Sequence, residues 1–82
     1  MDMNNLIFQT KDLPEASYLL ARGRSLQNTV HNGRICWFIF DDSDNTCKAL
    51  TDEFWQGKGT IDAKTYYDSM QRLKNAIFSQ KT

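Results

Sequence analysis

The spacing of apolar and polar residues changes repeatedly along this chain, and each change marks an element. Leu6-Ile7-Phe8-Gln9-Thr10 reads as a short strand, behind a polar start over Met1–Asn5. Asp12-Leu13-Pro14-Glu15 carries a helix start, with Asp12 as N-cap, Pro14 in the first turn and Glu15 three residues after the cap. Ala16, Leu19 and Leu20 then form an apolar stripe, and Gly23 after Arg22 is a natural left-handed stop. The run Arg34-Ile35-Cys36-Trp37-Phe38-Ile39-Phe40-Asp41 holds consecutive apolar residues that are mostly aromatic or β-branched. It is too short and too crowded at Cβ for a helix and reads as the central strand, entered through the hairpin signal Asn32-Gly33.

Placing Asn32 and Gly33 in the loop of a type I′ turn fixes a register. His31 faces Arg34, Val30 faces Ile35, Asn28 faces Trp37, Leu26 faces Ile39, and Arg24 faces Asp41 as an opposite-charge pair. Leu26, Val30, Ile35, Trp37 and Ile39 then share a face, which is the expected helix-covered core. The other face sets Ser25, Gln27, Thr29 and His31 against Cys36, Phe38 and Phe40, half polar and half aromatic.

Asp41-Asp42-Ser43-Asp44-Asn45 is a turn-forming cluster. Cys47, Leu50, Thr51 and Phe54 recur at helical spacing, and Trp55-Gln56-Gly57 ends that helix; a strand over residues 46–50 is the alternative. Lys58-Gly59-Thr60 is a loop. Asp62 caps a last helix running to about Phe78, with Tyr66, Met70, Leu73 and Ile77 on one stripe. The order is β-α-β-β-α-α. A right-handed crossover makes the first strand parallel to the second, and the third fits between them. The fold class is therefore α+β, a three-stranded sheet of order 1-3-2 whose central strand is 34–41, with helices mainly on one face.

Composition narrows the classes. Eighty-two residues make one domain spanning residues 1–82, and a chain of this size buries about 60–65% of its unfolded surface, enough for one modest core. Ten acidic and ten basic side chains cancel, so no global field favours nucleic acid or an anionic membrane. Cys36 and Cys47 match no paired metal-ligand spacing and read as reduced thiols of a cytoplasmic protein. Neither a signal sequence nor an apolar run of membrane-spanning length is visible, so no membrane partner is expected.

Phe8-x-Thr10-x-Asp12-Leu13-x-x-Ala16-x-x-Leu19-Leu20-x-x-Gly23, the strand end Phe38-x-Phe40-Asp41 and the closing Ile61-Asp62-x-x-x-Tyr66 together carry a resemblance. The chain resembles a family of small domains of unknown function encoded by bacteria and their phages or mobile elements. That resemblance covers most of the chain and implies a cytoplasmic setting; it supplies no mechanism.

Candidate chemistry is sparse. Asp41, Asp42 and Asp44 suggest a hard-cation site, but Thr46 and Cys47 stand where a calcium loop needs other residues, so a solvated turn is expected and no metal. His31 has Arg34 as its nearest cross-strand neighbour, an arrangement that orients no nucleophile. Cys36 lies in mid-strand, without the electropositive exposure that a thiolate needs. Gly57-Lys58-Gly59-Thr60 lacks the full phosphate-loop spacing. No catalytic residue and no cofactor are therefore expected, and the protein is not expected to be an enzyme. The remaining candidate is a binding surface of Cys36, Phe38, Phe40, Thr29, His31, Arg34 and Lys11, with Trp55 and Lys58 as a secondary one. A helix over Cys47–Trp55 covering that surface is the competing reading. The expected partner is protein, including a homo-oligomer; the alternative is single-stranded nucleic acid, because exposed strand aromatics can stack bases while Lys11, His31 and Arg34 hold phosphates.

Overall fold

Six elements follow in the predicted order: β1 (Ile7–Thr10), α1 (Leu13–Ala21), β2 (Leu26–Asn32), β3 (Ile35–Asp41), α2 (Cys47–Trp55) and α3 (Ala63–Ser79). They come from a computed structural model that describes residues 6–79. The polar start read over residues 1–5 lies outside the described residues. The predicted caps hold. Glu15 donates its backbone N–H to Asp12 Oδ1 at 2.8 Å, and Thr65 donates to Asp62 Oδ2 at 3.0 Å. Residues 47–50 are helix rather than strand. Buried Asp42 reaches across the turn to accept the Cys47 N–H at 3.0 Å, doing for α2 what a local cap would do.

The sheet has order β1-β3-β2, with β3 antiparallel to both neighbours. The hairpin register differs from the expected one. Asn32 pairs with Ile35, His31 with Cys36 and Val30 with Trp37, so the loop is Gly33–Arg34. Gly33 has φ +64°, and Arg34 is not among the residues with positive φ. A left-handed residue only at the first central position is what a type II′ turn takes, whereas type I′ needs two. Glycine is required there: Gly33→Val should destabilise by about 1–3 kcal/mol through backbone strain alone, since an added Cβ meets nothing within 4 Å. Urea denaturation measures it, and a change below about 0.5 kcal/mol would contradict this turn.

The second difference decides which face is covered. A shift of two residues leaves the side-chain faces of the hairpin unchanged, but the ladder is irregular between Leu26 and Asn28, and Leu26 pairs with Phe40 instead of Ile39. A bulge there turns Leu26 over to the Phe40 side of the sheet. β1 adds Phe8 opposite Phe40 and Thr10 opposite Phe38. The helix-covered face is thus Phe8, Thr10, Leu26, Cys36, Phe38 and Phe40, and the expected core of Val30, Ile35, Trp37 and Ile39 is the uncovered side. Val30 and Ile35 are exposed, while Trp37 and Ile39 are half-buried. With β3 apolar on both faces, the helices take the side that offers two phenylalanines of β3 and one of β1.

One core results. Ala16 and Leu19 of α1, Phe38 and Phe40 of β3, Cys47 of α2 and Leu73 of α3 are buried together. Phe8, Leu13, Leu20, Leu26, Leu50 and Ile77 pack around them. The overall thickness is 18 Å, room for one sheet and one helix layer. Arg24 pairs with Asp44 at 2.6 Å rather than with Asp41, because the bulge and the following turn carry Asp44 to it.

Candidate functional site

The predicted binding surface divides. Phe38 and Phe40, at 1% and 0% exposure, lie in the core and present nothing to a partner. The covering comes from all three helices, not from α2 alone. Thr29, His31 and Cys36 are half-buried at the β2 edge and hairpin end, whereas Lys11 and Arg34 remain exposed.

At that end the structure brings several of the named residues to one cavity of about 200 Å³. Lys11 leads from β1 toward α1, His31 is the next-to-last residue of β2, and Gly33 and Arg34 form the turn; together they line one part of it. Leu13 from α1, Cys36 and Phe38 from β3 and Ile77 from α3 line the other. No carboxylate of the described residues lines it. Neither Lys11 nor Arg34 joins an ion pair among the described residues, and the Lys11 Nζ stands 5.9 Å from the centre of the Trp37 ring. His31 Nε2 is shut away from solvent without a hydrogen-bond partner among the described residues. Burial pushes the Cys36 thiol up, which disfavours a thiolate. Cys47, deeper in the core, is pushed up to about 12 by burial, with its contact to Asp42 adding to the effect.

Sequence pattern assigns the uncovered sheet face to the core, and the structure leaves it open. Ile7, Val30 and Ile35 are 40%, 43% and 42% exposed, and half-buried Trp37 and Ile39 lie between them. Lys11 sits at the Trp37 end, and strand alternation puts Asp41 at the other, opposite Ile7. The bulge at Leu26/Asn28 hid this face, since it carries no glycine or proline to announce it.

Of the secondary candidates, Trp55 is 59% exposed, yet its Nε1–H donates to Glu15 Oε1 at 2.7 Å, tying α2 to α1. Lys58 is exposed and apart from the cavity. Beneath Trp55, Tyr18 donates its hydroxyl to Glu53, which also pairs with Arg22 at 2.8 Å. Burial raises the Tyr18 phenol, and the Glu53 hydrogen bond raises it further. Among the described residues no group of three or more His, Cys, Asp or Glu could hold a metal ion, and no helix is long and apolar enough to cross a membrane.

Fold and site define a small α+β domain: a three-stranded antiparallel sheet with helices on one face, an open apolar face and a cationic cavity at its hairpin end. The chain belongs to the family described as a domain of unknown function (DUF5659), which matches residues 5–79. No curated protein and no solved structure matches it.

Proposed function

We propose that this domain is a non-enzymatic binding module that associates with protein through the open face of its sheet, a second copy of the chain being the partner that face fits first. The carrying observation is the apolar set Ile7, Val30, Ile35, Trp37 and Ile39 on a side that no helix among the described residues covers. Exposed apolar surface of this kind, here bordered by Gln9, Asn28 and Asn32 on the same face, marks interaction sites. Its charge supports a two-fold pairing: an axis running across the strands lays Lys11 of one copy over Asp41 of the other. Three strands about 4.8 Å apart and roughly 23 Å long offer on the order of 300 Å² per copy in projection. That is below the roughly 800 Å² of a stable interface, so the association is weak. The raised thiols of Cys36 and Cys47 support the non-enzymatic reading, and their free state fits a cytoplasmic setting. The family resemblance adds a host among bacteria, phages or mobile elements.

Sedimentation over a concentration series tests the reading. The wild type should show a reversible dimer, little affected by salt, and Ile35→Asp should remain folded and become monomeric. A wild type that stays monomeric at about millimolar concentration, or an Ile35→Asp variant that still dimerises, refutes it. Single-stranded nucleic acid is the second reading, favoured by Trp37 with Lys11 beside its ring. It predicts a gel shift with oligo-dT that salt and Trp37→Ala both abolish.

A further inference from the structure

We propose that the cavity at the hairpin end is a binding site for a small oxyanion carried on a flat apolar body, an aromatic carboxylate or aromatic phosphate monoester. This inference does not require the dimer, although Lys11 borders both the cavity and the open face.

The size sets the class first. About 200 Å³ is far more than a single ion or water fills, and it falls short of the roughly 300 Å³ at which pockets for drug-sized ligands begin. It exceeds the ~150 Å³ that admits a benzene ring in an apolar protein cavity. One ring and one charged group fill it. The lining then sets the chemistry. Leu13 and Ile77, both half-buried, offer an apolar surface against which a ring packs, with the protonated Cys36 thiol beside them and buried Phe38 behind. Arg34 adds a planar fork of donors suited to carboxylate or phosphate, and Lys11 is a flexible point charge. Among the described residues no acid lines the cavity, and neither Lys11 nor Arg34 is in an ion pair.

The hairpin explains why these groups meet. Gly33–Arg34 in a two-residue loop puts Arg34 at the tip, while the His31–Cys36 pairing brings an imidazole and a thiol of the lining side by side. β1 pairs through Thr10 with Phe38, so Lys11 emerges beside the same end, and α3 brings Ile77 over it. The cations come from a turn and a loop, and the apolar wall comes from packed elements. A rigid floor with an adaptable charged rim is how small anionic ligands are oriented.

NMR titration of the full chain with benzoate, phenyl phosphate, benzyl alcohol and inorganic phosphate tests the assignment. Benzoate or phenyl phosphate should bind with a Kd of about 1 mM or tighter and shift the amides of His31, Gly33 and Cys36. The one that binds tighter identifies carboxylate or phosphate as the preferred head. Benzyl alcohol, which keeps the ring and lacks the charge, should bind at least about tenfold more weakly, as should inorganic phosphate, which lacks the ring. Arg34 is exposed in the turn, so Arg34→Ala should leave the spectrum otherwise intact and weaken binding of the preferred anion at least about tenfold. No saturable shift with either aromatic anion, equal binding of benzyl alcohol or inorganic phosphate, or full affinity in Arg34→Ala each overturns the proposal. The ligand comparison on wild type decides even if the variant misfolds.

Discussion

Phe38→Ala is expected to lower stability by about 3–5 kcal/mol, whereas Trp37→Ala, one residue earlier on the same strand, is expected to cost about 1–2 kcal/mol. Phe38 is 1% exposed and packs among Ala16, Leu19 and Leu73, so truncation leaves a cavity walled by two helices and the sheet, which cannot all collapse into it. Trp37 is larger, but it lies half-buried on the uncovered face, with Lys11 above its ring. Its loss removes contacts without opening a hole. A domain of this length holds only about 4–12 kcal/mol in total, so the Phe38 variant should be near the edge of folding at room temperature. Urea denaturation of both variants gives the comparison directly. A Trp37→Ala protein less stable than Phe38→Ala would mean that the helices cover the other side of the sheet.

That contrast shows what was legible in the sequence. The element order, the strand order and the caps at Asp12 and Asp62 follow from local signals: apolar spacing, a proline in a first turn, an acid before an apolar run. The choice of face is not local. It turns on one bulge between Leu26 and Asn28 and on Phe8 arriving from β1, and a strand apolar on both sides leaves that choice to its neighbours. The site followed the same division. Lys11, His31, Arg34 and Cys36 were legible as one end of the sheet because the hairpin alone places three of them there. Leu13 and Ile77 were not, because they reach the cavity from helices whose docking depends on the covered face. The Asn32-Gly33 pair signalled the hairpin correctly and its loop incorrectly, since a glycine after asparagine serves either turn type and pairing along the strands decides between them.

Gly59→Ala is expected to destabilise by about 2–3 kcal/mol, although glycine to alanine in a loop ordinarily stabilises by about 0.4–1 kcal/mol. A Cβ at this position would fall 2.6 Å from the Tyr18 hydroxyl oxygen and 2.8 Å from the ring carbon that bears it. Tyr18 has nowhere to move. It is 1% exposed, stacks on Phe54 with ring centres 5.2 Å apart, donates to Glu53, and accepts from Arg22 Nη1 at 2.8 Å. The Lys58-Gly59-Thr60 loop, which reads from sequence as a plain connection, is therefore pressed onto α1 and fixes where α3 begins. Tyr18→Phe removes the nearest atom of the clash, so the two substitutions should be coupled. Gly59→Ala should cost about 1 kcal/mol less in the Tyr18→Phe background than in wild type. Four denaturation curves measure that coupling, and strict additivity would show that the loop does not bear on the Tyr18 hydroxyl. Because α3 ends at the hairpin cavity, loosening its start should also blur the position of Ile77. Weaker binding of aromatic anions by Gly59→Ala, more than 20 Å of helix away, would then report the same constraint from the other end.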